Sequence, residues 1–193
     1  MWGAADPAFD KSLPQRKQDI EQAKSLLKAA GKPNLQLNLI TTPSAPGQIQ
    51  AAEVFATKAK AAGVQTKITN QTPTQFFANS YLKVPFSQDY WPTQPYLVAT
   101  GQAVVKGAPF SATHQADPSY DALYTKATKT VDEAQRGELI KQLLKYDYEK
   151  GGNIIPYYFP VIDAVSSKVK GVKETVTGLA LGGFNWKNIW MES

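Results

Sequence analysis

The chain has 193 residues, 42% of them hydrophobic and 19% charged, with a formal net charge of +5, the profile of an ordinary globular protein with room for one sizeable core. No apolar run approaches the roughly 18 residues that a membrane-crossing helix needs, and no basic stretch followed by an apolar one marks a signal peptide at the start. Cysteine is absent, which excludes disulfides, thiolate nucleophiles and zinc-thiolate sites.

In chain order, residues 16–30 set Ile20, Ala23, Leu26 and Leu27 at helical spacing, and Gly31 can turn left-handed at the end. Residues 35–40 alternate apolar and polar as a half-buried strand. A second helix is expected over 48–62, with Ile49, Ala52, Val54, Phe55 and Ala59 inward and Gly63 as its stop, followed by a second alternating strand over 64–69. Strand, helix and strand of these lengths form a βαβ unit with parallel strands.

Thr72-Pro73 opens a short helix through Phe76, Phe77 and Tyr81. The stretch SQDYWPTQPYL over 87–97 then carries three large rings, one acid and two prolines without helical or strand periodicity. Residues 100–115 read as loop or very short elements. Asp117-Pro118 starts a helix with Leu123, Ala127 and Val131 on its buried face. Residues 132–135 look like a capping box opening a long helix with Leu139, Leu143, Leu144 and Tyr146 as core, stopped by Gly151-Gly152. The apolar, proline-containing run 154–162 reads as a buried or edge strand, and 165–190 as short strands and turns around Gly171, Gly178 and Gly182-Gly183.

Marks of catalysis are missing. His114 is the single histidine, no nucleophile elbow or phosphate-binding glycine loop surrounds it, and it reads as a loop residue. Asp117, Asp121, Asp132 and Glu133 have a sufficient role at helix starts. Arg16 and Arg136 are the only arginines and the lysines are dispersed along the chain, a poor footprint for nucleic acid. What remains is aromatic. Tyr90, Trp91 and Tyr96 are braced by Pro92 and Pro95, and Asp89 beside them suits an ammonium group. Such a segment equips a pocket for amines or peptides, or it fills a core under a long loop. Tyr157, Tyr158 and Phe159 pose the same choice.

The order of segments is more specific than any one of them. IEQAKSLLKAAGKPNLQLNLIT, then AAGVQTKITN, then Trp91, then ADPSYDALYTKATKTVDEAQRGELIKQLLKYDYEKGGNIIPYYFPV leading to VKGV resembles the C-terminal part of the extracellular solute-binding proteins of family 5, the dipeptide- and oligopeptide-binding components of ABC importers. The resemblance implies an α/β, periplasmic-binding-protein-like lobe (type II, class C), a mixed sheet with flanking helices. It implies one C-terminal lobe over 1–193, with 163–193 returning to an N-terminal lobe that this chain lacks. It further implies capture of peptides or similar small solutes in an interlobe cleft, without catalysis or cofactor. The implied partners are the N-terminal lobe and the importer's membrane subunits, and no nucleic acid. The implied location is extracellular or periplasmic, with a lipid anchor on the missing part. The implied ligand residues are Asp89, Tyr90, Trp91, Tyr96, Tyr158 and Phe159, although Asp89 precedes Trp91 where many members place the acid after it. The alternatives are a sugar binder, an interaction module needing a partner chain, a His114-based hydrolase and a nucleic-acid binder.

Overall fold

In the computed structural model, residues 9–175 and 179–192 are described; the turn expected at Gly178 lies outside them. The chain groups into two compact units. One, the βαβ unit, comprises Ser12–Tyr90 with Phe110–His114, and the other, the helical unit, comprises Met1–Lys11, Trp91–Pro109 and Gln115–Ser193. No described helix is long and apolar enough to cross a membrane.

The βαβ unit starts with α1 (Ile20–Ala29), whose N-cap Asp19 accepts the Gln22 amide at 2.8 Å. Strand β1 (Gln36–Thr41) and β2 (Gln65–Asn70) pair in parallel, in the register Leu39 to Ile68, joined by α2 (Gln48–Lys60). Ala52 of α2 is fully buried, a residue small enough to let helix and sheet backbones approach. The turn into β2 needs glycine: Gly63 has φ of +92°, and a Cβ there would lie 2.6 Å from the Pro33 carbonyl oxygen. Thr72 and Gln75 form a reciprocal capping box at 3.3 and 3.2 Å, opening α3 (Pro73–Gln75), which continues as a π-helical turn over Phe76–Ser80. Phe76 is fully buried, with its ring centroid 5.1 Å from that of Phe77 and 5.9 Å from that of Tyr81. Beyond it, residues 86–88 lie beside β1 as a third parallel segment. Ile40 N–H donates to the Phe86 carbonyl at 3.1 Å and Gln88 N–H to the Ile40 carbonyl at 2.9 Å.

The helical unit packs α4 (Tyr96–Ala103), α5 (Pro118–Lys129) and α6 (Glu133–Lys150) around Tyr96, Val104, Tyr120, Ala127, Leu139 and Leu143. Helix α4 continues past residue 100, where the polar composition suggested loop, because Ala99, Thr100 and Ala103 are buried in this packing. Gly101 makes room for the Tyr124 hydroxyl, which a Cβ would strike. Asp117 caps α5 and Asp132 caps α6, each accepting an amide hydrogen at 2.8 Å. Arg136 donates to the Thr130 and Val131 carbonyls at 3.0 Å each, closing the end of α5 from the next helix.

Several expectations need correction. Leu26 and Val54 are exposed, at 64 and 58%, since each falls outside the stripe its helix packs inward, and Val131 is exposed at 90% because α5 ends before it, at Lys129. Residues 154–162 form no strand: every residue from 151 to 168 is exposed and no strand is assigned there. The parallel and antiparallel pairings lie in separate small sheets, the second being β3 (Val169–Lys170) against β4 (Trp190–Met191).

Candidate functional site

In the βαβ unit a polar side-chain cluster forms where β1 and the 86–88 segment end, at the carboxyl ends of parallel strands, where such sheets place their ligands. Thr41 and Thr42 follow the last apolar residue of β1 and are fully buried. The Thr41 hydroxyl donates to the Gln88 side-chain oxygen at 2.9 Å. Gln48, at the start of α2 and 2% exposed, donates to the Gln88 carbonyl at 3.0 Å and accepts the Ala45 amide at 3.0 Å. These bonds fix the 86–88 segment, which delivers Asp89 and Tyr90 to the same end. The Tyr81 hydroxyl donates to Asp89, and burial, followed by the charge and hydrogen bond of Asp89, pushes Tyr81 up to about 12. The Tyr90 amide also donates to Asp89, at 2.7 Å, and the Tyr90 ring is 46% exposed. The arrangement is an oriented, half-buried carboxylate beside an open ring, suited to a cation or a hydrogen-bond donor.

The other expected site residues belong to the helical unit. Trp91 is half-buried, packed against the helical core. Tyr96 is a core ring and not a cleft ring: it is 2% exposed, and its hydroxyl donates to Asp147 at 2.8 Å. Tyr120 donates to the same Asp147 oxygen at 3.3 Å. Burial, only partly offset by these two bonds, raises the Asp147 carboxyl to about 6. Tyr158 and Phe159 stand exposed at 54 and 38% on the extended run. The tail also forms an open apolar depression of about 410 Å³, lined by Val165, Val172, Leu181, Trp186, Trp190 and Met191. Tyr81, Thr41, Thr42, Gln48 and Gln88 are additions the sequence did not single out. The available signal was a polar pair ending an apolar strand, repeated in Ser87-Gln88 after a short extended segment.

No family model matches the sequence. The nickel-binding protein NikA of Staphylococcus aureus is 28% identical over 201 residues, covering 93% of this chain and 40% of that protein. The periplasmic binding protein DppA from Helicobacter pylori, ABC transporter-associated and in complex with the peptide STSA, superposes with a TM-score of 0.74 at 19% identity, over 99% of this chain and 38% of that one. NikZ from Campylobacter jejuni, in complex with Ni(L-His), gives 0.76 at 18%, over 95% and 41%. The chain is thus similar in sequence to a nickel-binding protein and shares its fold with binding proteins of ABC transporters. It spans about two fifths of the length of these proteins.

Proposed function

We propose that this chain supplies part of the solute-capturing component of an ABC importer, binding peptides or compact amino-acid-derived solutes without chemical turnover. The observation that carries the reading is a likeness over nearly the whole chain to two binding proteins, one held with a peptide and one with Ni(L-His). In this reading Asp89 receives an ammonium group or amide donor, Tyr90 and Trp91 supply ring surface, and Tyr158 and Phe159 reach the solute from the extended run. The remaining length seen in relatives provides a second lobe, to which residues 163–193 return. Closure of that lobe on the solute yields the form that the membrane subunits accept. The protein then works outside the cytoplasmic membrane, tethered by a lipid on the part this chain does not cover.

Nickel is a second cargo favoured by the likeness to NikA. Among the described residues no three His, Cys, Asp or Glu side chains are grouped to hold a metal ion, so a metal cargo would arrive wrapped in its own amino-acid ligands. Calorimetric titration of di- to pentapeptides, nickel-histidine and sugars, with and without the complementary lobe, tests both. Saturable binding of peptides or nickel-histidine is expected. Binding of a sugar alone overturns the solute class. Trp91→Phe is expected to remove the solute-dependent fluorescence change while leaving Tm within a few degrees, because Phe retains most of the packing.

A further inference from the structure

The +5 charge is carried by one unit. The βαβ unit holds nine lysines and arginines against four acids, whereas the helical unit holds twelve of each. Within the βαβ unit the fold gathers what the sequence disperses. Lys28 lies in the last turn of α1, Lys58 and Lys60 in the last turn of α2, and Lys32 in the turn leaving α1. The two turns touch, since the Pro33 carbonyl oxygen sits against Gly63, and Gln65 N–H donates to the Leu35 carbonyl at 2.8 Å. All four lysines therefore stand at the amino-terminal end of the β1–β2 sheet, opposite the polar cluster of Thr41, Gln48 and Gln88. All four are exposed, and none has an acidic partner among the described residues.

The acids of this unit lie elsewhere. Asp19 and Glu21 are at the other end of α1, where Glu21 pairs with Lys24 at 2.9 Å. Asp89 is engaged by Tyr81 at the carboxyl end of the sheet, and Glu53 lies nearly two turns before Lys60 on α2. We propose that this lysine-rich end is a docking surface for an anionic phospholipid bilayer. Four lysines at one end of a small unit meet the size of cluster that membrane surfaces attract. The patch has no arginine to grip a phosphate in two-pronged fashion and no ring to stack on a base, which sets it apart from a nucleic-acid surface. Lysine ammonium groups act as point charges and suit a diffuse plane of phosphate. Docking by this end leaves Asp89 and Tyr90 at the end of the sheet away from the lipid.

The test is cosedimentation of the chain with phosphatidylcholine vesicles containing or lacking phosphatidylglycerol, at low and raised salt. Binding is expected only with phosphatidylglycerol and is expected to fade as salt screens it. Changing Lys28, Lys32, Lys58 and Lys60 to Gln, which keeps both helix ends free of added repulsion, is expected to lower partitioning by about fivefold per lysine. The matched change of Lys126, Lys129, Lys141 and Lys145 in the helical unit is expected to leave it nearly unchanged. Equal loss in both variants, binding without phosphatidylglycerol, or no vesicle binding overturns the proposal. So does retention by soluble polyphosphate or single-stranded RNA alone. Circular dichroism melts of both variants establish that they remain folded.

Discussion

Asp147 is the residue whose environment has the clearest measurable consequence. It accepts hydrogen bonds from Tyr96 and Tyr120, yet no ion pair to it occurs among the described residues. Its carboxyl rises from 3.8 to about 6, chiefly through burial. Between those values the folded protein holds a proton that the unfolded chain has released. Stability is therefore fully retained below pH 4, falls as pH rises toward 6, and levels off above it. Partial exposure of Asp147 limits the loss to about 1–3 kcal/mol. Asp147→Asn is expected to flatten this part of the profile, measured by urea unfolding between pH 4 and 7; an unchanged slope would place the titration elsewhere. Asp117 behaves in the opposite sense. Hydrogen bonds from Ser119 and Tyr146 hold its carboxyl well below the usual carboxylate range, in keeping with a helix cap that stays ionised.

Among the elements, α6 and the run after it give contrasting predictions. Leu143 is fully buried on α6, whereas Val131, just before the helix, is 90% exposed. Leu143→Ala is expected to cost about 2–5 kcal/mol and Val131→Ala less than about 0.5 kcal/mol, read from denaturant midpoints. Beyond α6, residues 151–168 are exposed throughout, and Tyr157, Tyr158 and Phe159 offer chymotrypsin its cleavage side chains in a stretch without helix or strand. Limited proteolysis is expected to cut there before it cuts within α4, α5 or α6. First cleavage inside those helices would contradict the placement. The apolar content of 154–162 suggested a buried strand because periodicity records hydrophobicity and not the presence of a neighbouring strand. The run forms no strand and its residues are exposed, so an apolar segment stands in water.

For the whole molecule, solute capture predicts coupling between binding and stability. A solute at a hundred times its Kd stabilises the folded chain by about 2.7 kcal/mol, which for a protein of this size raises Tm by roughly 5–10 °C. Thermal-shift measurements with peptides and nickel-histidine are expected to find such a rise for at least one solute class. Uniform silence in the presence of the complementary lobe would count against capture.

Local chemistry was enough to read α1, α2, α5 and α6, the caps at Asp117 and Asp132, the two alternating strands and the glycine stops from the residues, because each is set by neighbours within a few positions, whereas α4 was not read as a helix. The order of those segments also carried the resemblance to binding proteins of ABC transporters, which the fold likeness matches. The candidate site was less so. Asp89 and Tyr90 were visible as unusual side chains, but the link from Asp89 to Tyr81 depends on how the chain turns between them, and the cluster of Thr41, Gln48 and Gln88 depends on residues 40 and 47 positions apart meeting beside β1. Likewise Tyr96 and Trp91 sit five residues apart in one proline-braced stretch and look equivalent in composition, yet α4 turns one ring into the core and leaves the other half-buried. The charge of +5 was countable from the start. Its concentration at one end of the sheet arises only when two helices end side by side, since long-range packing, and not spacing along the chain, decides which lysines become neighbours.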